Sequence, residues 1–190
     1  DEAGYGPNLG PLVITASVWE VPGNPREFDF FAALSDAVSQ ETPKKSGRLH
    51  VADSKEVYSP SKGIASLEKS VLALVRLLDW KPNSLKQLCG DLSRHLANAA
   101  PLSGEPWYED ADLALPQKTD GESVEAGATS LLDACLTAGI KLREVRSEIV
   151  SPERFNDLCE THGNKAAALS KTTLGLIRSV WDPDSSEPTL

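Results

Sequence analysis

Two adjacent carboxylates, Asp1 and Glu2, stand directly ahead of a loop rich in glycine and proline in the opening run DEAGYGPNLGP. Carboxylate oxygens are the ligands that hard divalent ions such as Mg²⁺ and Mn²⁺ prefer. Neighbouring residues of a regular strand point to opposite faces, so both side chains reach one ion only if the chain twists there. Gly4 and Gly6 permit such a twist and let the backbone approach a ligand closely. The run fits either a metal site or a solvated turn ahead of a strand.

A second run, Asp53-Ser54-Lys55, stands ahead of a predicted helix. Lys55 fits a phosphate contact and equally a surface lysine at a helix start, where Asp53 or Ser54 caps the turn. We interpret Asp53 as a helix cap rather than as a metal ligand. The densest basic cluster of the sequence, Lys44-Lys45 and Arg48, lies just before this run and fits either a phosphate-tracking patch or a solvated loop.

The first run resembles the DEAGRGPLAGP signature of type 2 ribonucleases H, with Tyr5 in the position of the family's arginine. The second run resembles the family's DSK element, and residues 152–180 are similar, more weakly, to the helical segment ahead of its third carboxylate. The resemblance implies a ribonuclease H-like α/β fold, in which helices flank a mixed central sheet. It also implies divalent-metal-dependent hydrolysis of the RNA strand in RNA–DNA hybrids, with Mg²⁺ or Mn²⁺ held by four carboxylates.

The resemblance also implies roles for individual residues of this sequence. Asp1 and Glu2 match the first two carboxylates, which bind metal and are the catalytic residues. Two divalent ions held by carboxylates activate a water molecule and stabilise the leaving oxygen. The implied nucleic-acid-binding residues are Gly4, Tyr5, Gly6, Ser54 and Lys55.

The sequence departs from the family pattern in several places. Tyr5 removes a guanidinium group that could contact phosphate. The third and fourth carboxylates are expected beyond Leu190. The sequence contains no methionine and opens inside the motif, so we expect it to be part of a longer protein, with the fold incomplete at both ends. Asp120-Gly121 imitates a family pair, but no apolar strand precedes it, and we exclude it as a ligand.

Three other functions stay open. A non-catalytic nucleic-acid-binding relative would keep the fold and lack part of the carboxylate set. A nuclease acting on structured DNA would share the fold, because a fold does not fix a substrate. A structural or protein-interaction domain would expose a large apolar patch and have no metal affinity.

The composition excludes several classes of protein. The 190 residues are 40% hydrophobic and 25% charged, which is typical of globular chains. The net charge of −9 argues against a strongly basic nucleic-acid module but is compatible with a local basic groove. No apolar run approaches the ~20 residues that span a bilayer, so we predict no membrane association. The three cysteines form no CxxC pair, which favours the reducing cytoplasm, and no obligate protein partner is evident.

The apolar periodicity predicts an α/β fold in one domain over residues 1–190, with a largely helical insertion at about 82–127. The predicted strands cover about 11–21, 48–52 and 140–150, and the first of them is expected to be central in its sheet. The predicted helices cover about 28–38, 59–78, 85–99, 124–138, 151–163 and 165–181. We expect Ser59 to cap the second helix. The residues expected to point inward from the fourth helix are Leu131, Leu132, Cys135 and Leu136.

Overall fold

The computed structural model describes residues 10–43, 47–58, 60–61, 63–93, 108 and 112–181, and the fold is a mixed α/β fold. The strands are β1 (Leu12–Glu20), β2 (Val38–Ser39), β3 (Leu49–His50) and β4 (Lys141–Val150). The helices are α1 (Phe30–Ala33), α2 (Ser54–Val57), α3 (Ala65–Val75), α4 (Leu85–Leu92), α5 (Gly121–Ala138), α6 (Pro152–His162) and α7 (Lys165–Val180). Within these described ranges, no helix combines the length and the apolar composition needed to cross a membrane.

The strands of the described part form two separate two-stranded sheets instead of one mixed central sheet. In one sheet, Thr15 of β1 hydrogen-bonds Ser147 of β4 at 2.8 Å, and Glu20 of β1 forms an ion pair with Arg143 of β4. The partners on β4 move backwards as β1 advances, so the two strands are antiparallel. In the other sheet, β2 and β3 are parallel, with Val38 opposite Leu49.

The prediction of a central first strand is wrong for the described residues, because β1 has β4 as its single neighbour. Burial alternates along β1, with Val13, Thr15 and Ser17 on an exposed face. Such alternation is typical of an antiparallel strand with one face toward solvent. Thr15 and Ser17 carry hydroxyl groups that suit a solvent-exposed face, although the run as a whole is mostly apolar.

Contacts between Cα atoms divide the chain into two compact units. The first unit combines the described parts of 1–18, 85–112 and 144–187, and the second those of 19–84 and 113–143. The core of the first unit consists of Val150, Phe155 and Ala168, with Leu12, Leu158 and Cys159 packed against them. The core of the second unit consists of Leu34, Ala37, Val38, Leu49, Ala73, Ala128, Leu131, Cys135 and Ile140. The single domain and its insertion stay predictions.

Helix α5 is the longest helix described, and its two ends follow from its sequence. Asp120 caps the first turn by accepting a hydrogen bond from the Ser123 N–H at 2.7 Å, which accounts for the Asp120-Gly121 pair. Gly139 ends the helix in the left-handed conformation at φ +67, as predicted for a glycine in this position.

The buried face of α5 differs in part from the predicted one. Leu131 and Cys135 are buried, but Leu132 is 47% and Leu136 is 70% exposed, so their inward placement was wrong. The buried residues of the helix are Val124, Gly127, Ala128, Leu131 and Cys135. Their spacing of three and four follows the helical period, whereas each exposed leucine lies about 100° further round the helix.

Helix α3 begins later than its sequence signal predicts. The sequence predicts a helix capped by Ser59, but α3 begins at Ala65, and Ile64 ahead of it makes no side-chain cap bond. Ser59 itself lies outside the described residues. Gly63 has φ +63, which interrupts helical geometry just before the start. The first predicted helix, 28–38, is also too long. Helix α1 ends at Ala33, and the last predicted helical residue, Val38, lies in β2.

A carboxylate on α3 holds the segment that leads into α5. Glu68 Oε1 accepts a hydrogen bond from the Gln117 N–H at 2.5 Å. Glu68 Oε2 accepts from the N–H groups of Lys118 at 2.7 Å and Thr119 at 2.9 Å. Burial alone would raise the pKa of Glu68, but these three donors and the charge of Lys118 lower it below its usual value.

Helices α6 and α7 follow the prediction closely, with Ser151 and Asn164 as their side-chain caps. Gly163 separates them at φ +83. Ile177 of α7 is 48% exposed. The first turn of α4 is held by Asp112, which accepts from the Lys86 N–H at 3.0 Å. The end of the predicted 85–99 helix lies outside the described residues.

Candidate functional site

Most of the predicted site residues lie in the opening run, which is outside the described residues. These residues are Asp1, Glu2, Gly4, Tyr5 and Gly6. Their metal-binding and nucleic-acid-binding roles stay predictions. The other two predicted residues, Ser54 and Lys55, are described, and both are exposed in α2.

The turn that carries Ser54 and Lys55 is fixed by Asp53. The Asp53 carboxylate accepts a hydrogen bond from the Lys55 N–H at 2.8 Å. The Asp53 carbonyl accepts from the N–H groups of Glu56 at 2.9 Å and Val57 at 3.1 Å. The interpretation of Asp53 as a helix cap is therefore confirmed. Val57, at the other end of α2, is buried and anchors the short helix to the second unit.

This geometry places the Lys55 side chain on a capped helical turn. The cap orders the backbone of Lys55 while its side chain stays exposed to solvent. A lysine ammonium in such a place can meet a phosphate as a point charge without a large desolvation cost. The turn can therefore position a nucleic-acid backbone, but it cannot by itself read a sequence of bases.

A cavity of about 260 Å³, which we name the basic pocket, adjoins this turn through Val57. Arg48 donates from Nη1 to the Ser35 carbonyl at 3.1 Å. Lys69 of α3 is half-buried and makes no ion pair with any other residue that the structure describes. The described residues that line the basic pocket include no acid; they are Thr42, Pro43, Arg48, His50, Val57, Ser66, Lys69 and Ser70.

A second cavity in the same unit, which we name the apolar cavity, has a volume of about 360 Å³. Trp19 and Phe30 meet edge to face on its wall, with ring centroids 5.5 Å apart. The Ser70 hydroxyl donates to the His50 carbonyl at 3.0 Å, and His50 Nε2 bonds the Gln40 carbonyl at 3.0 Å, which makes that nitrogen the donor. The Ser70 hydroxyl and the His50 ring are thus both hydrogen-bonded, and the surface of the cavity suits packing or an apolar group.

The cysteines are packing residues, as their positions on apolar helix faces predict. Burial raises the pKa of the Cys89 thiol, and the negative charge of Asp112 raises it further. Burial also raises the pKa of Cys135. Both thiols are therefore protonated near neutral pH, whereas a metal ligand or a nucleophile is a thiolate.

In the ranges 10–93 and 108–181, as far as they are described, no three histidine, cysteine or acidic side chains converge on a point that could hold a metal ion. The predicted Mg²⁺ or Mn²⁺ site therefore depends on Asp1 and Glu2. Carboxylates are suitable ligands for either ion, since both prefer oxygen.

Lys69 is the residue of this region that sequence reasoning missed. A signal was present: Lys69 lies four residues before the buried Ala73, and residues four apart share one face of a helix. The position of Lys69 on the packed side of α3 could therefore be predicted from the sequence. The pocket could not, because several of its lining residues come from other parts of the sequence.

Comparison of the chain with protein-family models, with curated proteins and with solved structures finds no match. The resemblance to type 2 ribonucleases H therefore depends on the sequence motifs alone. The activity that these motifs imply is accordingly a proposal.

Proposed function

We propose that the protein is a ribonuclease H-type endonuclease that hydrolyses the RNA strand of RNA–DNA hybrids with Mg²⁺ or Mn²⁺. The observation that carries the proposal is the turn at Asp53, Ser54 and Lys55. Asp53 uses its carboxylate to cap α2, and Lys55 is exposed on the ordered turn, as a phosphate contact requires. The run thus has the DSK order together with a geometry suited to a nucleic-acid backbone.

The proposed fold is the ribonuclease H-like fold. Its support is the order of elements around the two motifs. Strand β1 follows the opening run, and its antiparallel partner β4 leads into the two helices α6 and α7. A strand pair followed by helices agrees with the α/β layering that the resemblance implies.

In this proposal the metal ligands and the nucleic-acid contacts have separate tasks. Asp1 and Glu2 would hold the metal, whose chemistry is to activate water and stabilise the leaving oxygen. The backbone from Gly4 to Gly6 would meet the sugar at the scissile junction, and Lys55 would contact a phosphate. The substrate would be selected by helix shape and 2′-hydroxyl contacts and not by base edges.

The experiment is binding and cleavage of a labelled RNA–DNA hybrid, with Mg²⁺ and with Mn²⁺. We expect Asp1→Asn to lose cleavage and keep binding. We expect the affinity of Lys55→Gln to fall less steeply with salt: the slope of log affinity against log salt should decrease in magnitude by about 1, the value for one lost phosphate contact. Lys141→Gln, which removes the same charge from an exposed position at the start of β4, is the matched control and should bind as the unaltered protein does.

Other outcomes would contradict the proposal in different ways. Hybrid binding without metal-dependent cleavage would identify a non-catalytic relative. Cleavage of branched DNA in preference to the hybrid would identify a nuclease for structured DNA. Absence of both binding and cleavage would exclude the nuclease and the nucleic-acid-binding relative alike. A hybrid with a single embedded ribonucleotide, tested in the same assay, shows whether Tyr5 substitutes for the arginine of the family signature.

A further inference from the structure

Lys69 carries a charge that the described residues leave uncompensated. Its side chain is half-buried, and it makes no ion pair within the described part of the chain. A Cβ atom placed on Gly127 of α5 would lie 3.3 Å from Lys69 Cε, so the aliphatic stem rests on the surface that this glycine leaves open. A partly buried cation loses hydration, and an anion bound at the same place with good hydrogen-bond geometry offsets part of that cost.

The other groups of the basic pocket suit an oxyanion. Arg48 contributes a guanidinium, and Thr42 and Ser66 contribute hydroxyl groups. The Ser70 hydroxyl is not counted as a donor, because its proton is donated to the His50 carbonyl. A guanidinium, an ammonium and hydroxyl donors together form the donor set that binds phosphate oxygens. The pocket volume of about 260 Å³ exceeds the about 30 Å³ of one water molecule several-fold, which leaves room for a phosphate group.

We propose that the basic pocket binds a phosphate group, and that this phosphate belongs to the backbone of the nucleic acid held at the turn of Asp53, Ser54 and Lys55. The binding of phosphate follows from the pocket itself, whereas the source of the phosphate rests on the proposed function. Val57 lines the pocket and lies two residues after Lys55 in α2, which is about 3 Å along a helix axis.

The first arm of the test uses inorganic pyrophosphate, so that it does not depend on any nuclease function. Titration of the protein is followed by NMR at the amides of Ser66, Lys69 and Ser70. We expect these amides to shift, and we expect Lys69→Met to weaken the affinity about tenfold, because the variant loses a charged donor and keeps the stem. Lys69→Arg should bind within about threefold of the unaltered protein, since the charge is kept.

Lys81→Gln is the matched control, because Lys81 is an exposed lysine of the same unit that does not line the basic pocket. It should bind pyrophosphate as the unaltered protein does. Thermal unfolding of each variant shows that the fold is kept, and Lys69→Gln serves as a second charge-removing variant if Lys69→Met does not fold. Unshifted pocket amides, or equal affinity in Lys69→Met and the unaltered protein, would overturn the phosphate site.

The second arm measures the affinity for the RNA–DNA hybrid over a range of salt concentrations. In Lys69→Met we expect the slope of log affinity against log salt to decrease in magnitude by about 1. If the pocket binds pyrophosphate but the slope stays unchanged, the backbone is not the source of the phosphate, and that part of the proposal is wrong. If the unaltered protein binds pyrophosphate but no hybrid, the proposed function fails while the phosphate site stands.

Discussion

The apolar cavity and the basic pocket lie in the same unit and share His50 and Ser70, but their chemistry is opposite. The apolar cavity is lined mostly by aromatic and aliphatic side chains, and the polar side chains of His50 and Ser70 in its wall are both hydrogen-bonded. The basic pocket contains the guanidinium of Arg48 and the ammonium of Lys69, and its described lining includes no acid. One cavity is therefore built for packing, and the other for an anionic ligand.

Helix α3 produces this difference through its period. With about 100° between successive residues, its two sets of lining side chains fall on neighbouring faces, with Ser70 between them. The residues of α3 that line the apolar cavity are Leu67, Ser70, Val71 and Leu74, and those that line the basic pocket are Ser66, Lys69 and Ser70. One helix thus separates the side chains that stabilise the fold from those that are available to a ligand.

The largest expected effect tests this separation directly. Leu49 lines the apolar cavity and is 2% exposed, so Leu49→Ala should lower the free energy of unfolding by about 3 kcal/mol, through lost burial and a larger void. The measurement is urea denaturation followed by tryptophan fluorescence. Lys69→Met, in the basic pocket, should change the same quantity by less than about 1 kcal/mol. Equal losses in the two variants would show that the cavities do not differ in their contribution to stability.

A smaller effect is expected at Glu68, which lies on α3 between Leu67 and Lys69. In Glu68→Gln an NH₂ group replaces one carboxylate oxygen, and this group cannot accept a hydrogen bond from a backbone N–H. The free energy of unfolding should therefore fall by about 1–2 kcal/mol near pH 7. Urea denaturation of both proteins measures this difference. Lys118→Gln, which removes a nearby charge but no hydrogen bond to Glu68, should lose less.

The pH dependence of that difference has a definite sign. The pKa of Glu68 is lower in the folded state than its usual value of 4.5, so the unfolded chain binds a proton more readily. The stabilisation by Glu68 is fully present above pH 4.5 and is lost as the pH falls through the folded pKa. Denaturation midpoints of the two proteins should therefore converge as the pH falls below that range. A gap that stays constant down to pH 3 would contradict the role of the ionised carboxylate.

The smallest expected effect concerns the turn beside the basic pocket. Asp53→Ala removes the cap of α2 and should lower the free energy of unfolding by about 1 kcal/mol. Asp53→Asn keeps an acceptor oxygen and should stay close to the unaltered protein. Urea denaturation distinguishes the two. A loss in the asparagine variant as large as in the alanine variant would show that charge at Asp53, and not its hydrogen bond, stabilises the turn.

Sequence patterns predicted the elements whose ends carry local signals. Gly139 ends α5, and Ser151 and Gly163 are the ends of α6, because cap residues act on the backbone next to them. The cap of α5 at Asp120 was not predicted, and the helix was expected to begin at about residue 124. The same kind of signal was misleading for α3, which begins at Ala65 after Gly63 at φ +63; Ser59 itself lies outside the described residues. Local chemistry predicts a helix end only where no nearby residue imposes a different conformation.

The candidate site was predictable to a lesser degree. The cap at Asp53 and the exposure of Lys55 follow from three consecutive residues. Lys69 was missed, because its significance depends on Arg48 from another part of the chain and on the space left by Gly127. The exposure of Leu132 was missed for a related reason: tertiary neighbours, and not hydrophobicity, decide which side of an apolar helix is covered.

The three hydrogen bonds that Glu68 accepts also bear on how a protease would meet this protein. Trypsin cleaves after lysine, and the peptide group that follows Lys118 donates its N–H to Glu68. A protease must draw such a segment out of the folded chain before it can cut. The resistance of the Lys118–Thr119 bond to digestion is therefore governed by a carboxylate on α3, about fifty residues earlier in the sequence.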